Sequence, residues 1–341
     1  MPIPDLSNKP GPGRPGWGPT GSYDFQFEVA AGQVGIKVLP RVNGLRFTVK
    51  WQDGTEQAIT TAQTNLQSPT TQAGIISINN EELDSTWCDD FAVVSGKEFV
   101  TKVISWGQNP WNNLTAAFSG CTNLTILEES ALITDSNGNL YECFNGCTGL
   151  TTVNGKKWNL SAGARIGRWF NGCTNLELLE LTGISLNLIG ASDSAFQSVG
   201  VATTNGCEFQ LSGLTLTQPS SLSHDSWFRS TKIKPTSTFA NITWPSNYFD
   251  GTNWFYESSM TGTSSILDCS GWSTFNGTLH NWFSRFNWNG TSTSPNNTNQ
   301  KINLTNFSGK TTSISGIVRD SAISGVIGLS TWGATDGSAI N

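Results

Sequence analysis

The chain has 341 residues, a net charge of −6 and only 13% charged side chains. That length allows two or three modules. It has no run of Lys or Arg to supply the cationic footprint that nucleic acid requires, and no apolar stretch near the ~18 residues of a membrane span, so nucleic-acid binding and membrane insertion are not expected. The 36 glycines and 14 tryptophans, with abundant Asn, Thr and Ser, suit strands and tight turns better than helices.

Residues 1–21 hold Pro2, Pro4, Pro10, Pro12, Pro15 and Pro19, with Trp17 among them. Proline biases such a segment towards extended conformations, and it cannot bury enough apolar surface to fold alone. It reads either as a disordered tail or as an extended assembly arm that docks on a neighbouring subunit. It lacks the apolar centre of a secretory signal peptide, so export by that route is not expected.

Residues 22–108 alternate with period two. Tyr23, Phe25, Phe27 and Val29 share one face against Asp24, Gln26 and Glu28, and Val34, Ile36 and Val38 repeat the pattern. Leu45, Phe47, Val49 and Trp51 follow, with a turn at Gln52-Asp53-Gly54. Further strands are expected at 75–78, 91–94 and 99–106. About six short strands between turns predict a small β-sandwich.

Residues 109–341 carry a repeat. Phe118, Cys121 and Leu124 recur as Phe144, Cys147 and Leu150, then as Phe170, Cys173 and Leu176. The period is 26 residues, and each copy has a second aliphatic three residues after its Leu: Leu127, Val153, Leu179. Phe196 continues the register with Val199 in the cysteine position, and looser copies begin at Phe228, Phe255 and Phe283, with a last one near Val318. Such self-similarity predicts a stacked solenoid, irregular after about residue 200, with Phe, Leu and Cys columns inside. The fold class is therefore all-β: a small sandwich followed by a solenoid. About eight coils at the ~4.8 Å strand spacing give a rod on the order of 40 Å.

None of the seven cysteines forms a CxxC pair, which disfavours zinc and redox sites. Buried free thiols are expected over disulfides, because equivalent positions on stacked coils point in parallel. No metal site or cofactor is expected, and no catalytic constellation emerges. His224 and His280, the two histidines, read as polar residues on surface loops. Glu81, Glu82, Asp84, Asp89 and Asp90 read as a solvated acidic face rather than a paired-carboxylate site. Asp135-Ser-Asn137-Gly-Asn139 has oxygen ligands at alternate positions but misplaces the glycine of a calcium loop, so it reads as an Asn/Gly turn. Asn123, Asn159, Asn276 and Asn289 head Asn-x-Ser/Thr triplets that arise from composition.

Tryptophan precedes the repeated Phe at Trp169, Trp227, Trp254 and Trp282. If that Phe points inward on a strand, its neighbour points outward. The four rings then line one face, either as a sugar-stacking or partner-docking surface or as a structural ladder packed on itself or on a neighbouring chain. Trp244 and Trp272, mid-repeat, are expected in the core.

The Phe-x-Gly-Cys-Thr-Asn-Leu core, approached through Val103-Ile-Ser-Trp106-Gly107 and Trp111-Asn-Asn-Leu-Thr-Ala-Ala-Phe118, resembles the BspA-like leucine-rich-repeat family of bacterial surface and phage proteins. Phe47-Thr-Val-Lys-Trp51-Gln-Asp53-Gly54-Thr55 is similar to polycystic-kidney-disease-type β-sandwich repeats, though Gln52 replaces the usual Gly. The resemblance covers roughly residues 22–200 and implies surface display and adhesion, not a reaction. With the missing export signal, it leads to the expectation of a virion component. Its expected partners are other virion proteins, met through the arm in an oligomeric assembly, and a host-surface glycan or protein. A bacterial surface adhesin is the alternative, and a glycan-cleaving spike the third reading.

Overall fold

The computed structural model describes residues 25–40, 47–59, 61, 63–80, 88–107, 110–217, 222–244, 249–261, 266–272, 275–278, 280–288, 301–303, 305, 309–313 and 325–327. The arm prolines and Trp17 lie outside the described residues, as do Tyr23, Asp24, Leu45, Glu81, Glu82, Asp84, Asn289 and Val318.

The described chain is nearly all β, with a solenoid of about 6 turns and a period near 26 residues; the last coil expected, near Val318, lies outside the described residues. Its first eight strands are β1 (Phe25–Val29), β2 (Gly35–Pro40), β3 (Phe47–Lys50), β4 (Glu56–Ile59), β5 (Gln63–Gln67), β6 (Gly74–Asn80), β7 (Cys88–Ser95) and β8 (Val100–Trp106). The period-two pattern places Phe25, Phe27, Val29, Val34, Ile36 and Val38 inside, with Glu28 outside. These strands do not stand apart as a free sandwich. In the solenoid follow β9 (Trp111–Asn113), β10 (Ile126–Leu127), β11 (Thr134–Asn139), β12 (Thr152–Asn154), β13 (Leu160–Ala164), β14 (Leu178–Glu180), β15 (Ser185–Leu188), β16 (Glu208–Gln210) and β17 (Thr215–Thr217). One nine-stranded sheet runs β16-β14-β12-β10-β8-β1-β6-β3-β4, and a five-stranded sheet runs β11-β9-β7-β2-β5. Strand β8 pairs antiparallel with β1 on one side and parallel with β10 on the other. The N-terminal strands thus cover the open edge of the first coil, which would otherwise present unpaired backbone groups to solvent.

The parallel ladder stacks Val103, Leu127, Val153, Leu179 and Phe209 in one buried column. The opposite face continues through β13-β15-β17, where Leu160, Leu186 and Leu216 align. The Asp135–Asn139 segment lies in β11 rather than in a simple turn. Its Asp135 carboxylate accepts from the Asn137 amide, and the register slips between Thr134 and Asn139, so local side-chain bonding and a strand ladder coexist there.

The repeated Phe does not sit on a strand. Around each one the chain makes successive tight turns, with Ala117 N–H bonded to Leu114 C=O, Cys121 to Phe118 and Leu124 to Cys121. Inward side chains along this arc therefore recur mainly every third residue, and left-handed residues two before and two after the Phe set its curvature. These are Ala116 and Gly120 in the first coil, and Ser226 and Ser230 in a later one. The Phe rings form an unbroken stack of Phe118, Phe144, Phe170, Phe196, Phe228, Phe255 and Phe283. Centroid separations range from 5.0 to 6.2 Å with interplanar angles of 5 to 13°. Such offset pairs contribute on the order of 0.5–1.5 kcal/mol each beyond their buried area.

Between coils, the backbone bonds from four residues before each Phe to two after it run one way. Phe118 N–H donates to Cys143 C=O, Phe144 to Trp169, Phe170 to Ala195, Phe196 to Trp227, Phe228 to Trp254 and Phe255 to Trp282. Beyond that stretch they reverse, as from Gly200 N–H to Cys173 C=O and from Lys232 N–H to Val199 C=O. At the first coil Val93 N–H reaches Ala117 C=O, and Lys97 Nζ donates to Ser119 C=O at 2.7 Å.

The position three after each Phe is a donor slot as well as a packing slot. Cys147 Sγ donates to Phe118 C=O at 3.0 Å, Cys173 Sγ to Phe144 C=O at 3.2 Å and Thr231 Oγ1 to Phe196 C=O at 2.8 Å. Ser258 Oγ donates to Phe228 C=O. Val199 alone of these early and middle copies brings no donor, so the small apolar group inferred from sequence is only half of what the slot selects. Thr231→Val keeps the shape and removes the donor, and is expected to cost about 1–2 kcal/mol. Val199→Thr supplies the missing donor to Phe170 C=O and is expected to be neutral or slightly stabilising. Urea unfolding midpoints of the two variants check both signs.

Candidate functional site

The four tryptophans expected to line an outer face are inside. Trp169, Trp227, Trp254 and Trp282 are at most 1% exposed. The outward placement assumed strand alternation, whereas the tight-turn arc turns both the Phe and the residue before it inward. That column reads Ala117, Cys143, Trp169, Ala195, Trp227, Trp254 and Trp282, all buried. The structure therefore decides for a ladder packed on itself: Trp227 stacks on Trp254 at 4.7 Å and Trp254 on Trp282 at 5.7 Å. Trp244 and Trp272 pack against Trp254 at 5.1 and 6.3 Å.

A second column explains why these rings are indoles. Four residues before each Phe stand Leu114, Leu140 and Ile166, all buried aliphatics, and then Ser192, His224 and Gly251. Each later Trp reaches back to this position on the preceding coil. Trp227 Nε1 donates to Ser192 Oγ at 2.9 Å, Trp254 Nε1 to His224 C=O at 2.6 Å and Trp282 Nε1 to Gly251 C=O. For Trp169 the corresponding position is the apolar Leu140, and its indole N–H has no hydrogen-bond partner among the described residues. The loss of aliphatic character at Ser192, His224 and Gly251 was the sequence signal for this arrangement.

His224 is fully buried, not on a surface loop. Ser192 Oγ lies 2.5 Å from its Nδ1. An indole N–H can only donate, so Ser192 Oγ accepts from Trp227, and the tautomer of the imidazole sets which way the proton lies in its bond to Nδ1. Burial drives the His224 pKa down to about 3, against a smaller upward pull from Asp250. A serine within hydrogen-bond reach of an imidazole is the geometry of an activated nucleophile. Here both groups are sealed from solvent, and so acidic a histidine is a poor base at neutral pH. The pair is a polar strut between two coils.

Asp90 is likewise not part of a solvated acidic face: it is buried and ion-paired with Lys37. The Asp89 side chain lies outside the described set. His280 is half-buried at the start of the last described Phe arc. Cys121, Cys143, Cys147, Cys173, Cys207 and Cys269 are free and buried, and desolvation pushes their thiols up, Cys121 and Cys173 to about 12. A thiolate is the reactive form. A disulfide-exchange reagent at pH 8 is therefore expected to titrate at most one of the seven thiols in the native protein and all seven in denaturant. A second fast native thiol would place one of these six at the surface.

A break in the regularity of the coils gives the described surface a concave floor. From Phe196 to Phe228 the coil takes 32 residues instead of 26. Four of the six extra residues fall between Phe196 and Phe209, which aligns with Leu179 of the coil before. The resulting segment and its neighbours form a cleft of about 170 Å³ lined by Glu177, Thr203, Thr204, Asn205, Gly206 and Lys234. Lys232 Nζ holds Thr203 C=O at 2.6 Å, Thr261 Oγ1 holds Asn205 C=O at 2.7 Å, and Lys234 pairs with Glu208 at 2.9 Å. The irregularity after residue 200 was legible in the repeat spacing, but the cleft it forms was not. No family model, curated protein or solved structure matches the chain.

Proposed function

We propose that the protein is a non-enzymatic structural or host-recognition component of a bacteriophage particle, attached by its N-terminal arm and displaying the solenoid. The observation that carries this reading is mechanical. Among the described residues the N-terminal strands share both sheets with the coils, so the strands that follow the arm are continuous with the displayed stack. The repeat's resemblance to BspA-like surface and phage proteins supplies the biological setting. Burial of every repeat tryptophan whose side chain is described supports a mechanically continuous stack. The test is cosedimentation of the full chain, and of a variant lacking residues 1–21, with particles that lack the protein. Arm-dependent binding is expected. Failure of both forms to bind would remove the particle reading and leave the surface adhesin, which the polar cleft favours.

A further inference from the structure

We infer that the cleft at residues 203–206 is a binding site for a single neutral sugar residue. The other coils need no such segment: the three before it close in 26 residues and the two after it in 27 and 28, so the extra chain between Phe196 and Phe209 is not demanded by packing. It is also held in place. Thr203 is buried, with its hydroxyl on Gly200 C=O at 2.8 Å, and Lys232 and Thr261 bind the carbonyls on either side. A loop tied at three points and raised beside a rigid sheet provides a preorganised wall, which lowers the ordering cost of binding.

The groups left over define the ligand. Among the described residues the Glu177 carboxylate, the Thr204 hydroxyl and the Asn205 side-chain amide make no hydrogen bond, and all three residues line the same cleft. A carboxylate accepts from a hydroxyl, an amide gives and takes, and a hydroxyl does both. Together they match adjacent hydroxyls of a sugar ring. Both nearby ammonium groups are engaged, Lys234 by the Glu208 carboxylate and Lys232 by the Thr203 carbonyl, and Glu177 adds a negative charge, which disfavours a phosphate or sulfate. The volume of about 170 Å³ is below the usual range for drug-sized ligands and suits one ring rather than an extended chain. The site does not depend on the particle reading, because the arm takes no part in it.

The experiment is saturation-transfer NMR on the full chain with free glucose, galactose, mannose and N-acetylglucosamine, and with inorganic sulfate as a competitor. At least one sugar is expected to show transfer, with affinity reduced about tenfold or more by Asn205→Ala and by Glu177→Gln. Both residues are exposed, so melting temperatures should hold. Absence of transfer from all four sugars, transfer indifferent to both substitutions, or displacement by sulfate would each overturn the assignment. The same measurement on protein lacking residues 1–21 should be unchanged, which separates failure of this site from failure of particle attachment.

Discussion

The protein is expected to lose stability steeply as pH falls below about 6.5, and His224 is expected to cause most of the slope. In the unfolded chain its imidazole takes up a proton near its ordinary value of 6.5, whereas in the fold burial holds the pKa at about 3. The neutral form is the one the fold tolerates. Stability is therefore complete above pH 6.5 and drains away down to about pH 3, at up to about 1.4 kcal/mol per pH unit. Over that window the sum is on the order of 5 kcal/mol, a large share of a typical domain's stability. Asp225 works in the opposite sense near the carboxylate range, because burial raises its pKa despite bonds from Ser226 and Asn253. The decisive comparison is between the wild type and His224→Asn, which keeps a hydrogen-bonding group for Ser192 without the titration. Urea midpoints from pH 7 to pH 5 should fall for the wild type and stay nearly level for the variant. Parallel slopes would mean that His224 is not buried neutral.

The second large effect is expected from Trp254. Its ring lies between Trp227 and Trp282, touches Trp244, and donates to the His224 carbonyl. Trp254→Ala should cost about 4 kcal/mol, combining lost burial, a cavity and an unpaired buried carbonyl. Trp254→Phe retains most of the stacking and loses the donor, so about 1–3 kcal/mol is expected. At Trp169 the same change should cost less than about 1.5 kcal/mol, since no hydrogen bond is lost there. Thermal or urea unfolding of the three variants separates this from a surface role, in which all three would leave stability unchanged.

The repeat itself was legible because its spacing is nearly invariant. Phe118, Phe144, Phe170 and Phe196 fall on a strict period, and any residue recurring so strictly in a solenoid has to be stacked on its own copy. The direction of the tryptophans was not legible from alternation. That rule presumes a pleat, and nothing in the Trp-Phe dipeptide announces that a left-handed residue stands before it. Left-handed glycines at Gly120, Gly146 and Gly172 hinted at the turn, but the same conformation is taken by Ser198, Ser230, Glu257 and Arg285 later on. The role of His224 was hidden by composition-level reasoning about histidine. Aligning it with Ile166 and Ser192 in the register would have placed it inside. The N-terminal strands were legible as strands, but their merger with the coils is a long-range pairing that local patterns do not encode.

The one-way backbone bonds of the turn arc give the stack an electrical polarity. In an ordinary sheet neighbouring peptide dipoles largely cancel. Here the peptides ahead of successive Phe residues point head to tail along the axis, like the hydrogen-bonded rows of a helix. The negative pole lies at the first coil, where the Lys97 ammonium rests on Ser119 C=O in the manner of a cation at a helix C-terminus. Growth of such a stack is vectorial. At the first coil the outward acceptors are met within the chain itself, by Val93 N–H at Ala117 C=O and by Lys97 at Ser119 C=O, so the negative pole of the arc is closed to a further coil.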